Sequence, residues 1–135
     1  MNNYHKKICY RSFRNKYAYQ KALKVVKNMS KLLGNIDSFE KAKFLKKSIK
    51  ISTEIALGEG NILTTNGKDF HFRKTLMYAI RLKKEIEEKV DIGELTSDEL
   101  IDDTLDNLKQ IIILTRSYRK TLREPSLIEN EGEQQ

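Results

Sequence analysis

The stretch Lys41–Lys50, KAKFLKKSIK, decides how this chain is read. Lysine fills half of it, yet Phe44, Leu45 and Ile49 are too apolar for a solvated tail. Lys43, Lys46, Lys47 and Lys50 fall at i, i+3, i+4 and i+7, a spacing that gathers them on one side of a helix. Leu45, Ile49 and Ala56 fall on the other side. The stretch therefore reads as the first half of an amphipathic helix carrying an unusual lysine stripe. Either that stripe is a solvated face or it is a surface for phosphates.

Working outward, apolar residues recur at helical spacing along most of the chain, and no segment sustains a period of two. A first helix is predicted from about Phe13 to Leu33, with Tyr19, Ala22, Leu23, Val26, Met29, Leu32 and Leu33 as its stripe and Gly34 as its stop. Asp37 and Glu40 have capping-box spacing ahead of the second helix, which runs to about Leu57. Ala42, Leu45, Ile49, Ser52 and Ala56 line its expected core face, widened by Phe44, Ile51 and Ile55. The segment GEGNILTTNGKD is the longest loop candidate, with Asn66-Gly67 as a turn signal. A third helix is expected from about Lys68, burying Phe72, Leu76, Ala79, Ile80, Ile86 and Val90, and ending at Asp91-Ile92-Gly93. Thr96 and Glu99 suggest a capping box, with Leu95 and Leu100 as a hydrophobic staple. The fourth helix continues to about Arg123, burying Ile101, Leu105, Leu108, Ile112 and Tyr118. Pro125 cannot extend it, and the acidic remainder reads as disordered. The expected fold is all-α, an antiparallel up-down-up-down four-helix bundle over 13–123, with a basic and aromatic segment at 1–12 and a tail at 124–135.

Charge is unevenly distributed. Residues 1–50 hold 14 Lys and Arg against 2 acids, whereas residues 91–135 hold 5 against 11. Such asymmetry points to an anionic partner, or to contact between the basic and acidic ends. Lys24, Lys27 and Lys31 repeat the lysine pattern in the first helix. There is almost no glutamate one turn away to neutralise either stripe, whereas an ordinary solvated face usually mixes signs. Arg11, Arg14 and Lys16, interleaved with Tyr10, Phe13 and Tyr17, add basic residues beside rings that could stack on bases or anchor the segment to the bundle. Arg116, Arg119, Lys120 and Arg123 suit a helix C-terminus, and Asp98, Glu99, Asp102, Asp103 and Asp106 suit a helix N-terminus.

Other chemistry is thinly represented. Cys9 is the only cysteine, without a disulfide or metal partner. His5 and His71 lack a ligand-like setting, and no nucleophile elbow, phosphate loop or zinc-protease signature is present. No catalytic residue, metal or cofactor is expected. No apolar run reaches the ~20 residues of a membrane span, and the first residues lack an apolar signal core. The expected compartment is the cytoplasm.

Some residues also resemble a family. Tyr17-Ala18-Tyr19-Gln20-Lys21-Ala22 resembles the aromatic–Gln–Lys–Ala opening of four-helix-bundle proteins of the 23S ribosomal RNA intervening-sequence type. Ile55-Ala56-Leu57-Gly58-Glu59-Gly60 is similar to that family's Asn-Ile-Ala-Glu-Gly, and Phe70, Ala79 and Glu85 to its Phe…Ala-x-Gly-Ser-x-x-Glu. Glu54 stands where the family has Asn, Leu57-Gly58 reads as an insertion, and Arg81-Leu82 occupy the Gly-Ser place. The resemblance implies a bundle assembling into a ring, typically a pentamer, with a basic surface. Relatives of that type include the accessory variability determinant of diversity-generating retroelements, which binds nucleic acid and a reverse transcriptase. The family supplies no catalytic residues. The resulting expectation is a non-enzymatic, oligomeric RNA- or DNA-binding accessory protein, which the resemblance links to a reverse transcriptase, with Lys43, Lys46, Lys47, Lys50, Lys24, Lys27, Lys31, Arg11, Arg14 and Lys16 on phosphate. The rival expectations are an adaptor docking an acidic protein partner and a small helical enzyme.

Overall fold

The computed structural model describes the backbone of residues 2–34, 39–60 and 64–123 and the side chains of 16–33, 39–60 and 64–123. Four helices account for nearly all of these residues: α1 (Asn2–Gly34), α2 (Phe39–Gly58), α3 (Thr65–Asp91) and α4 (Glu99–Arg123). Each packs against its chain neighbours, and α4 closes the bundle on α1. Cross-helix pairs fix the directions. Late α2 meets early α3 at Glu54 and His71, early α2 meets late α3 at Glu40 and Lys89, early α3 meets late α4 at Asp69 and Arg119, and late α1 meets early α4 at Asn28 and Asp103. All neighbours are therefore antiparallel, and the expected up-down-up-down bundle is the fold.

The core is one cluster running the length of the bundle. Ala18, Ala22, Val25 and Met29 enter it from α1, Phe44, Ile51 and Ile55 from α2, Phe72, Ala79, Leu82 and Ile86 from α3, and Ile101, Leu108, Ile111 and Leu122 from α4. Small hydroxyl residues share it at little cost. Ser48, Ser52, Thr75 and Thr104 each donate to a carbonyl three or four residues back on their own helix, so they enter the core already hydrogen-bonded. Between α1 and α4, the amides of Asn28 and Asn107 both donate to Oδ2 of Asp103, at 2.8 and 3.1 Å.

Several boundaries and faces differ from the sequence expectation. The helical ladder of α1 starts at Asn2 rather than Phe13, because the residues between contain neither glycine nor proline to stop it. Its buried face is Ala18, Ala22, Val25 and Met29, while Leu23 stands exposed and Tyr19, Val26 and Leu33 are half-buried. α2 is turned similarly: Ile49, Ala42 and Ala56 face outward, and Phe44, Ser48, Ile51, Ser52 and Ile55 face in. In α3, Leu82 replaces Ile80 in the core. The reason is common to all three. Adjacent stripes on a helix rich in apolar residues both satisfy a 3.6-residue repeat, and only packing against neighbours selects one.

The junctions show the same competition. Asn66-Gly67 is no turn; it lies in the first turn of α3, where the Thr64 hydroxyl accepts the Gly67 N–H at 3.1 Å and caps the helix. The cap of α4 is Asp98, not Thr96: its Oδ1 accepts the Ile101 N–H at 3.0 Å. Leu95 is buried nonetheless. α3 stops as expected. Gly93 takes φ +81°, Glu94 N–H reaches the Lys89 carbonyl at 2.9 Å and Gly93 N–H that of Val90 at 3.1 Å, a Schellman ending. The capping box expected at Asp37, the side chains of His5, Cys9, Arg11 and Arg14, and the tail at 124–135 lie outside the described residues.

Candidate nucleic-acid interface

The lysine stripe of α2 stands outside the bundle. Lys43, Lys46 and Lys50 are exposed and, among the described residues, make no ion pair. Lys47 differs from them. It is half-buried and pairs with Glu85 of α3, so its charge is spent within the bundle. That pair also shows which way the stripe leans, toward α3.

On α3 the edge facing α2 carries residues that the sequence reading did not single out. His71 bonds Glu54 of α2 at 2.8 Å, Lys50 Nζ lies 6.0 Å from the ring centre of Tyr78, and Glu85 holds Lys47. Lys74 and Arg81 lie one turn to either side of Tyr78 and therefore share its side of the helix. Phe70 comes one turn before Lys74. It is 43% exposed, and Lys74 Nζ lies 4.5 Å from its ring centre. The α2–α3 face thus joins Lys43, Lys46 and Lys50 to Lys74 and Arg81, with two aromatic rings among them. The carboxylates between α2 and α3 have partners of their own: Glu40 pairs with Lys89, Glu85 with Lys47, and Glu54 is hydrogen-bonded to His71. A shallow groove of about 450 Å³ runs across this face, lined by Lys46, Lys50 and Tyr78, by the apolar Leu45 and Ile49, and by Glu54.

The first-helix lysines do not join this face. Lys24 and Lys31 flank Asn28 at i−4 and i+3, and Asn28 points at Asp103 of α4. They are exposed, with Lys27 and Lys16, but they lean toward the α4 side of α1. The two stripes diverge around the bundle, because each lies on the flank of its helix that faces away from the α1–α2 contact. The sequence signal that could have found the α3 edge is the run Phe70, Lys74, Tyr78, Arg81, an aromatic–cation alternation at one-turn spacing.

Several charged residues of α4 have structural partners. Arg119 is buried, and its guanidinium donates to both carboxylate oxygens of Asp69, at 2.9 and 3.4 Å. The pairing holds the Asp69 carboxyl below the usual aspartate range, chiefly through the Arg119 hydrogen bond. Asp98 caps α4, Asp102 accepts from Ser97, Asp103 holds the two asparagines and Asp106 accepts from Gln110. Among the described residues no group of three or more His, Cys, Asp and Glu could hold a metal ion, and no helix is long and apolar enough to cross a membrane.

Glu59, within the Gly58-Glu59-Gly60 segment, has its Oε1 buried with no hydrogen-bond partner among the described residues. Burial raises its pKa, against an opposing pull from Lys68. The charged form is therefore penalised in the folded state above that raised value, and the penalty is relieved as pH falls through it. Glu59→Gln is expected to raise the thermal midpoint at neutral pH. The gain should shrink in acid, where the parent is protonated too. A thermal melt series against pH measures this, and an unchanged or lower midpoint at neutral pH would show that the carboxylate is well satisfied.

Comparison with protein-family models, curated proteins and solved structures returned no match. The likeness to the ribosomal intervening-sequence bundles rests on the residues quoted above.

Proposed function

We propose that this protein is a non-enzymatic nucleic-acid-binding bundle that holds phosphates on its α2–α3 face. One observation carries the reading: the exposed lysines of α2 continue onto Lys74 and Arg81 of α3, and these cations outnumber the carboxylates beside them, of which Glu85 and Glu40 are paired with other lysines. Like charges so placed repel one another by a few tenths of a kcal/mol per pair. A polyanion relieves that repulsion and gains by releasing its own counterions. Contacts of this kind position a nucleic acid without reading its sequence.

Exposed apolar residues outside the α2–α3 groove, Leu23 on α1 and Leu57 on α2, favour assembly of several copies, which would multiply weak patches. The family resemblance extends the proposal to a ring, a pentamer in that family, that supports a reverse transcriptase of a diversity-generating retroelement.

The test is fluorescence anisotropy of a labelled RNA across a salt series, for the parent and a Lys43→Gln, Lys46→Gln, Lys50→Gln triple variant. The log–log salt slope is expected to fall by about three, roughly one per lost phosphate contact. Lys47→Gln alone should leave it unchanged, since that amine is already paired. No binding at low salt, or a slope indifferent to the triple variant, would return the stripe to a solvated face.

A second reading has its own observation. Between α3 and α4 a groove of about 360 Å³ exposes Ile80 and Ile113 beneath Lys84, Lys109 and Arg116. An acidic amphipathic helix matches that chemistry, as an adaptor would require. Affinity for such a protein without affinity for RNA would favour it.

A further inference from the structure

We infer that the α2–α3 face takes single-stranded rather than duplex nucleic acid, with Phe70 and Tyr78 as platforms for unpaired bases. The inference rests on the phosphate-binding reading and adds the class of ligand. Aromatic side chains in a surface lysine field have no role in holding phosphate. Their flat faces are useful where bases are free to leave their stack, which a duplex does not permit.

The arrangement suits a strand. Phe70 and Tyr78 lie eight residues apart on α3, about 12 Å along the axis at a rise of ~1.5 Å per residue and roughly 80° apart around it at ~3.6 residues per turn. Lys74 sits midway between them and Arg81 one turn beyond. Rings and cations therefore alternate along α3 as bases and phosphates alternate along a single strand. Phe70 is exposed although the same helix has buried places for apolar residues, as at Phe72. Tyr78 borders the 450 Å³ groove, which Leu45 and Ile49 line with apolar surface, Lys46 and Lys50 with amines, and Glu54 with a carboxylate that His71 holds. Apolar surface beside two amines suits a flat heteroaromatic ring with an anionic tether. The Lys74 ammonium already rests over the Phe70 ring at 4.5 Å and that of Lys50 lies 6.0 Å from Tyr78. A stacked base would take the ring face, and each amine would turn to the adjoining phosphate.

The chain contains no tryptophan, so Tyr78→Trp places a single reporter in the groove. Titration with a uridine homopolymer is expected to quench its emission; a duplex of equal length should not. In anisotropy, Phe70→Leu and Tyr78→Leu should each weaken the single strand on the order of tenfold or more, with the salt slope unchanged. Tyr78→Phe should restore the affinity, since it keeps the ring, and circular dichroism would verify that the leucine variants fold. Equal affinity for both ligands, insensitive to the ring variants but lost in the triple lysine variant, would overturn this inference and leave the phosphate face standing. Absence of binding to either ligand would overturn both.

Discussion

Asp69→Ala is expected to lower the unfolding free energy by about 3 kcal/mol, at the low end for breaking a buried ion pair because Asp69 itself is partly solvated. The loss comes from what remains. Arg119 has a side chain only 11% exposed, and both of its contacts to Asp69 would vanish together. Arg123, 3.8 Å from the same carboxylate but largely exposed, adds little. The companion variant Asp69→Ala, Arg119→Met should recover most of the loss, since no buried charge is then left alone. Urea unfolding at neutral pH measures both, and a loss below about 1 kcal/mol would mean that water replaces Asp69 without penalty. The pH dependence follows from the lowered carboxyl pKa. The stabilisation is complete above the unfolded-chain value of about 3.9. It fades as pH falls through the lower, folded value. Asp69→Asn should therefore differ most from the parent at neutral pH and converge with it in strong acid.

Gly58→Ala should cost about 2 to 3 kcal/mol, near the top of the range for overpacking. A Cβ at this position would lie 2.7 Å from Cε2 of Phe72 and 3.0 Å from its Cζ. The ring cannot swing clear, because Phe72 is 2% exposed and packs edge-on against Tyr118 with centroids 4.7 Å apart. Alanine's higher helix propensity, worth up to ~1 kcal/mol in a helix interior, counts for less at the last residue of α2. The backbone at Gly58 is ordinary; positive φ among the described residues occurs at Gly93. The requirement is one of space. Adding Phe72→Leu should make the alanine less harmful than it is in the parent, a non-additivity readable from thermal melts. A Gly58→Ala variant as stable as the parent would show that α2 and α3 can separate there without cost.

Much of this architecture was legible in the residues. The four helices, their order and the end at Gly93 follow from apolar recurrence and from the glycine that punctuates it. The exposed Lys43, Lys46 and Lys50 were legible for the same reason, because a charged stem leaves few alternatives to solvent. Which apolar stripe enters the core was not. On α2, Ile49 and Ile51 are equally hydrophobic, and only the neighbouring helices put one outside and the other in. The Asn66-Gly67 turn and the Thr96 cap failed similarly, because Thr64 and Asp98 offered better-placed oxygens to N–H groups that had no other partner.

The sequence by itself therefore determined the class of fold, the antiparallel order and the excess of lysine on α2. These depend on local periodicity and on short connections, both written within one helix and the next. Only the tertiary structure decided that Lys47 is spent on Glu85, that Arg119 is an internal strut for Asp69, and that the lysines of α1 and α2 part company. It also decided that Phe70, Lys74, Tyr78 and Arg81 complete the face that α2 begins. Each of these depends on how two helices are rotated about their own axes. That rotation is set by the summed packing of the whole core, which no single stretch of the chain contains.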